Sequence, residues 1–158
     1  MAVTRKFNQP LATVWALMCD PDFRVERCLA LGEHSAECDV TEDEGVATVV
    51  MNRVVSRDPP SVLKKIFNPK QSLMFTENWK ETADGWVGRM QIDIKGQPVT
   101  ITAEMSLTGD DSACVYTVDH RCKAKIPLVG GKVEKFVLSQ TDDGAADELN
   151  YLEKKLDA

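Results

Sequence analysis

The side chains able to move a proton near neutral pH are few. His34 and His120 are the only histidines, and imidazole is the group whose unperturbed pKa lies in that range. His34 shares strand parity with Ala36, Cys38 and Val40; His120 shares it with Tyr116, Val118 and Cys122. Each is therefore expected on an apolar face, where a histidine or Tyr116 could act as general acid or base. The plainer reading of each histidine is a hydrogen-bonded or solvent-facing ring. The two fall on strands far apart in order, so a single role is favoured over a paired one. Asn52 and Gln140 are further polar residues that the patterns turn inward. The carboxylates Glu77, Asp93, Glu104, Asp119 and Glu134 would each need burial or a neighbour to hold a catalytic pKa. Most alternate opposite apolar residues and are expected to face water. Glu134 sits early in a C-terminal helix, where the dipole favours negative charge. Asp142, Asp143, Asp147 and Glu148 read as the solvated face of that helix.

Other chemistries find little support. The five cysteines, Cys19, Cys28, Cys38, Cys114 and Cys122, include no CxxC pair, and neither cysteine nor histidine clusters as zinc requires. Their odd number, with four inside expected helices or strands, argues against a disulfide framework and fits a reducing cytoplasm. Gly130-Gly131 precede a helix, but no GxGxxG or GxxxxGK[ST] completes a phosphate loop; the glycines are expected to let the helix approach a sheet. No metal and no cofactor is expected. Residues 1–9 show no apolar signal segment, and no apolar run nears the ~20 residues of a membrane span. A net charge of −6 and a pI of about 5.0 argue against binding nucleic-acid phosphate or an anionic membrane.

The elements that must position these groups follow from period and punctuation. Residues 2–8 alternate weakly, as a strand. Pro10 opens a helix bearing Leu11, Val14, Trp15 and Met18 on one face. Asp20-Pro21 starts a second helix to about Leu31, with Gly32 as its stop. From His34 the period becomes two, and residues 34–40 and 46–55 read as a hairpin. Residues 56–68 connect, with Val62, Leu63, Ile66 and Phe67 forming a helical turn or a covering loop. Four further strands are expected at 71–82, 86–94, 99–107 and 112–123, split by Asp84-Gly85, Gly96 and Gly109 turns. Such short turns allow only antiparallel neighbours. Residues 132–156 read as one helix with Val133, Val137, Thr141, Ala145, Leu149, Leu152 and Leu156 as its stripe. Gly144 within it suggests a bend or a close backbone approach. At 158 residues, the chain is expected to be a single domain, 1–158.

This order, with the Pro10–Phe23 opening "PLATVWALMCDPDF" and the "IPLVGGKVE" run of residues 126–134, resembles the SRPBCC superfamily, which includes START and birch-pollen-allergen-like proteins, and within it a bacterial branch. The resemblance covers essentially the whole chain. It implies an α+β helix-grip fold: a curved seven-stranded antiparallel sheet around a long C-terminal helix, with an apolar cavity between them. Trp79, Trp86, Met90, Ile101, Met105, Tyr116, Phe136 and Val137 then either line that cavity or fill a core, since both demand the same pattern. The expected function is binding of a hydrophobic small molecule: a lipid, an isoprenoid or a polyketide-like compound. The alternative is a cyclase or dehydratase using His34, His120 or Tyr116 in the same space. A hydrophobic ligand is the expected partner, with no nucleic acid and no stable membrane insertion, in a monomer or weak homodimer.

Overall fold

Local signals start the first elements of the computed structural model, which describes residues 2–158. Strand β1 (Val3–Phe7) leads through Pro10 into helix α1 (Leu11–Met18). Asp20 caps helix α2 (Pro21–Ala30), its carboxylate accepting from Asp22 N at 2.9 Å and Phe23 N at 3.4 Å. That bond satisfies amides left over at a helix start, and Pro21 follows where a missing N–H costs nothing.

Six strands then run as a meander: β2 (Ser35–Asp43), β3 (Val46–Ser56), β4 (Lys70–Thr82), β5 (Gly85–Ile94), β6 (Val99–Gly109) and β7 (Cys114–Ala124). All neighbours are antiparallel, in the order β1-β7-β6-β5-β4-β3-β2, with β1 returning to pair Val3 opposite Val118. The expected α+β helix-grip arrangement is therefore present. Residues 57–69 hold only a short 3-10 turn at Ser61–Leu63, which packs Leu63 inward, with Phe67 buried behind it. Helix α3 (Gly130–Leu156) has 27 residues and so a length of about 40 Å, enough to cross the sheet. It starts two residues before the expected position. Gly130 allows this, because a Cβ there would lie 3.1 Å from the Ala124 carbonyl oxygen. Gly144 makes no such approach: nothing stands within 4 Å of where its Cβ would be, and α3 continues through it.

Three tryptophans close one end of the concave face. Trp15 of α1 stacks on Trp86 with ring centroids 4.0 Å apart and meets Trp79 edge-on at 5.4 Å. Of the two readings open for Trp79, Trp86 and Met105, the structure takes the core and not the cavity lining. All three are buried in the core, and Trp15 of α1 packs on both of the other indoles. Trp79 lies flat over Gly88, its cross-strand partner, whose Cβ would fall 2.7 Å from the indole. Gly88→Val is expected to lower stability by about 1–3 kcal/mol, because a wedged ring cannot move aside. Urea unfolding measures it.

Candidate functional site

Beyond the tryptophans the sheet and helices part over one stretch. A cavity of about 210 Å³ lies between β3–β7, α2 and α3. Its apolar side comprises Leu73 and Phe75 of β4, Met90 and Ile92 of β5, Ile101 of β6 and Leu149 of α3. Gly144 and Ala145 of α3 also line this space, and their lack of bulk leaves it unfilled. A smaller recess of about 30 Å³ is lined by Phe136 and Val137 and shares Arg57, Leu73, Ile101, Gln140 and Thr141 with the main cavity.

The other side is charged. Arg24 of α2 forms two bonds to Glu77 of β4, at 2.7 and 3.1 Å, and Trp79 Nε1 donates to the same carboxylate at 2.8 Å. Arg24 Nε donates to the Met18 carbonyl. Arg53 of β3 pairs with Glu33 through Nε at 2.8 Å and through Nη2, and reaches Glu148 of α3 at 3.2 Å. Arg27 meets the other oxygen of Glu148 at 2.8 Å. The Arg53 guanidinium also sits over the Phe75 ring, 4.4 Å from its centroid, a favourable cation–π placement. Ions removed from water in this way persist only when paired and hydrogen-bonded. Burial pushes the Glu77 carboxyl up, but Arg24 and the Trp79 N–H outweigh it and hold it below the ordinary carboxylate range. Burial likewise opposes ionisation of Glu148, yet Arg53 and Arg27 bring it down to about 2.

Arg57 differs from these. It is half-buried, lines both compartments, and has as its one side-chain bond among the described residues a 3.5 Å contact to the Ser56 carbonyl. Burial lowers its pKa; the Glu33 and Glu148 carboxylates oppose the shift without bonding to it, and Arg53 reinforces it. A lining cation without a carboxylate partner is a place for an anionic or strongly polar ligand group.

His120 and Tyr116 of β7 line the same cavity. The buried His120 ring bonds through Nδ1 to Asp142 of α3 at 2.9 Å. An imidazole that donates Nδ1–H to a carboxylate keeps Nε2 as its free nitrogen. Burial, and then Glu77, raises the Tyr116 phenol above its usual pKa. All five cysteines are free thiols; burial pushes Cys19 and Cys28 up to about 12, away from nucleophilic thiolate. Among the described residues no group of three or more His, Cys, Asp or Glu could hold a metal ion.

Of the residues singled out in the sequence, the structure brings together Met90, Ile101, Tyr116, His120 and Gln140 around the main cavity, and Phe136 and Val137 around the recess. His34 and Asn52 do not join them. His34 precedes β2 and is exposed, bonding Ser56 Oγ. Asn52 has the parity opposite to Met51 and Arg53 and faces outward. Glu77 is buried where water was expected, and Asp142 and Glu148 turn inward from α3. Parity could have found them. Glu77 alternates with Leu73, Phe75 and Trp79, and Arg53 with Met51 and Val55. Glu148 stands three residues from Ala145 and four from Leu152 on the helix stripe.

No curated protein matches this chain. Among solved structures it is similar to an aromatase/cyclase, ZhuI, from Streptomyces sp. R1128, with a TM-score of 0.61, 13% identity, and 98% of this chain and 91% of that one covered. TTHA0849 from Thermus thermophilus matches with a TM-score of 0.59, 17% identity, and coverage of 98% and 94%. Dicamba monooxygenase bound to 3,6-dichlorosalicylic acid matches with a TM-score of 0.54, 14% identity, and coverage of 98% of this chain but 48% of that one. These likenesses share the fold. Residues 2–156 match the family model described as "Protein of unknown function (DUF2505)", so the chain belongs to the DUF2505 family.

Proposed function

We propose that this protein is a member of the SRPBCC superfamily that binds a small hydrophobic molecule between its sheet and α3. The observation that carries the reading is a cavity with one apolar side, one charged side and, on its border, the lining cation Arg57. A ligand would lay its rings or chain against Phe75, Met90 and Ile101 and turn a polar or anionic group to Arg57. Of the lipid, isoprenoid and polyketide-like classes, the volume favours a compact molecule of one or two rings, since pockets for larger ligands typically span roughly 300–1,000 Å³. Structural likeness to an aromatase/cyclase and to a monooxygenase holding a chlorinated salicylic acid supports an aromatic cargo. We further infer a single domain working in the cytoplasm as a monomer or weak homodimer; its free thiols support the compartment.

Calorimetric titration with 2-naphthoic acid tests the reading, with 2-naphthalenemethanol beside it. Saturable one-site uptake is expected, and Gly144→Phe is expected to weaken it at least about ten-fold. A phenylalanine there projects into open space and costs the helix no more than glycine does. No saturable uptake of either compound, with no small molecule retained in native mass spectra, would overturn it.

A second reading rests on a separate observation, the His120–Asp142 pair beside Tyr116 on the cavity wall. It is a cyclase or dehydratase acting on a polyketide-like substrate, with His120 as acid or base. Turnover that survives in His120→Gln would exclude it.

A further inference from the structure

A meander sends alternate connections to opposite ends of the sheet, and here they carry opposite charge. The β2–β3, β4–β5 and β6–β7 turns, residues 41–45, 81–85 and 109–113, hold seven exposed carboxylates and no basic residue. At the other end lie residues 57–70, the turn 95–98 and residues 123–135. They hold eight exposed lysines, among them Lys64, Lys65, Lys125 and Lys132, together with Arg57, against Asp58 and Glu134 alone. These three segments form one surface. Gln97 Nε2 donates to the Ile66 carbonyl at 2.8 Å, Lys125 N to the Pro98 carbonyl at 2.9 Å, and the Phe67 and Phe136 rings lie 6.2 Å apart.

Two apolar side chains stand out from this basic end. Val62 is 54% exposed, and Leu128 is exposed completely. Leu128 also has a φ of +69°, in a γ-turn that Val129 N closes onto the Pro127 carbonyl at 2.8 Å. That conformation is strained for a residue with a branched side chain. The fold thus spends backbone strain to hold an isobutyl group in water, with no contact inside the molecule to offset it.

We propose that this end docks on an anionic lipid bilayer, with the lysines against the headgroups and Leu128 and Val62 entering the interface. The net charge of −6 does not oppose this. The Debye length is about 10 Å at 0.1 M salt, whereas strands of 11 residues separate the two ends by about 36 Å. A bilayer therefore meets the lysines and not the seven carboxylates of the far turns. The basic end presents no exposed aromatic ring for stacking on bases: Phe67 is buried and Phe136 half-buried. The surface is independent of what the cavity holds, though the recess lined by Arg57, Phe67 and Phe136 is the part of the interior that docking brings nearest the lipid.

Sedimentation with phosphatidylcholine vesicles, alone or with about 30 mol% phosphatidylserine, tests the proposal at about 0.1 M salt. The protein should pellet with the anionic vesicles, and about 1 M salt should release it. Changing Lys64, Lys65, Lys125 and Lys132 together to glutamate should weaken binding by about ten-fold or more. Leu128→Gly should weaken it several-fold while melting no lower than the parent, because glycine relieves the positive φ; a loss of binding there cannot be a loss of folding. Failure to pellet, equal pelleting with both vesicles, or an unaffected quadruple variant would overturn the proposal. So would tighter binding to single-stranded RNA than to anionic vesicles with no effect of Leu128→Gly, which would assign the surface to nucleic acid.

Discussion

Arg24→Met is expected to lower the free energy of unfolding by about 3–5 kcal/mol, because it strands the Glu77 carboxylate beneath α2. Both members of the pair are nearly inaccessible, with side chains 5% and 8% exposed, so water cannot replace the lost partner. The double variant Arg24→Met/Glu77→Leu should recover most of this, since two apolar side chains of similar volume no longer need charge compensation. Recovery stops short of complete because Trp79 Nε1 loses its acceptor, leaving a deficit of about 1–3 kcal/mol. Urea unfolding of the two singles and the double forms a cycle that isolates the coupling. A single variant within about 0.5 kcal/mol of the parent would show that the pair does not support the fold.

Acid should open the same region in a defined window. Glu148 titrates near 2 in the folded protein, below the 4.5 of an unperturbed glutamate. Its contribution is therefore complete above about pH 4.5 and disappears as pH falls towards 2. A displacement of this size corresponds to about 3 kcal/mol. Glu77, held low in the same direction, adds to the slope. Unfolding free energy measured by urea between neutral and acid pH should fall steeply below about pH 4.5. In Glu148→Gln that limb should flatten from a lower neutral value, as Arg27 and Arg53 then lack their shared counterion. An unchanged acid limb in that variant would mean that Glu148 is not ionised against the arginines.

Most of the frame was legible because its signals are local. The Asp20-Pro21 cap, the alternation of residues 99–107 and the stripe on α3 each need only a few neighbouring residues to read. The charged side of the cavity was not legible for two reasons. Glu77 and Glu148 occupy apolar registers, but their chemical type argued for water more loudly than their parity argued for burial. Their partners also lie far off in sequence: Arg24 is 53 residues from Glu77, and Arg53 is 95 from Glu148. No spacing rule links such positions; only the packing of α2 and α3 on the sheet brings them together. The tryptophans failed differently. Apolar parity placed Trp79 and Trp86 on the concave face correctly, but could not reveal that Trp15 fills the space beside them.

The pairing of β1 with β7 has a consequence for the birth of the chain. Each strand from β2 to β6 pairs with the next strand made, whereas Val3 must wait for Val118. At a synthesis rate of about 5–20 residues per second, β1 leaves the ribosome and remains without its sheet neighbour for roughly 6–23 seconds. Closing so long a loop is the slow kind of contact, which puts β1 last into the sheet. During that interval Phe7 has no core to enter. Arg5 and Lys6 beside it keep the segment soluble, and Arg5 afterwards fastens the strand to α3 through Glu153 and Asn150.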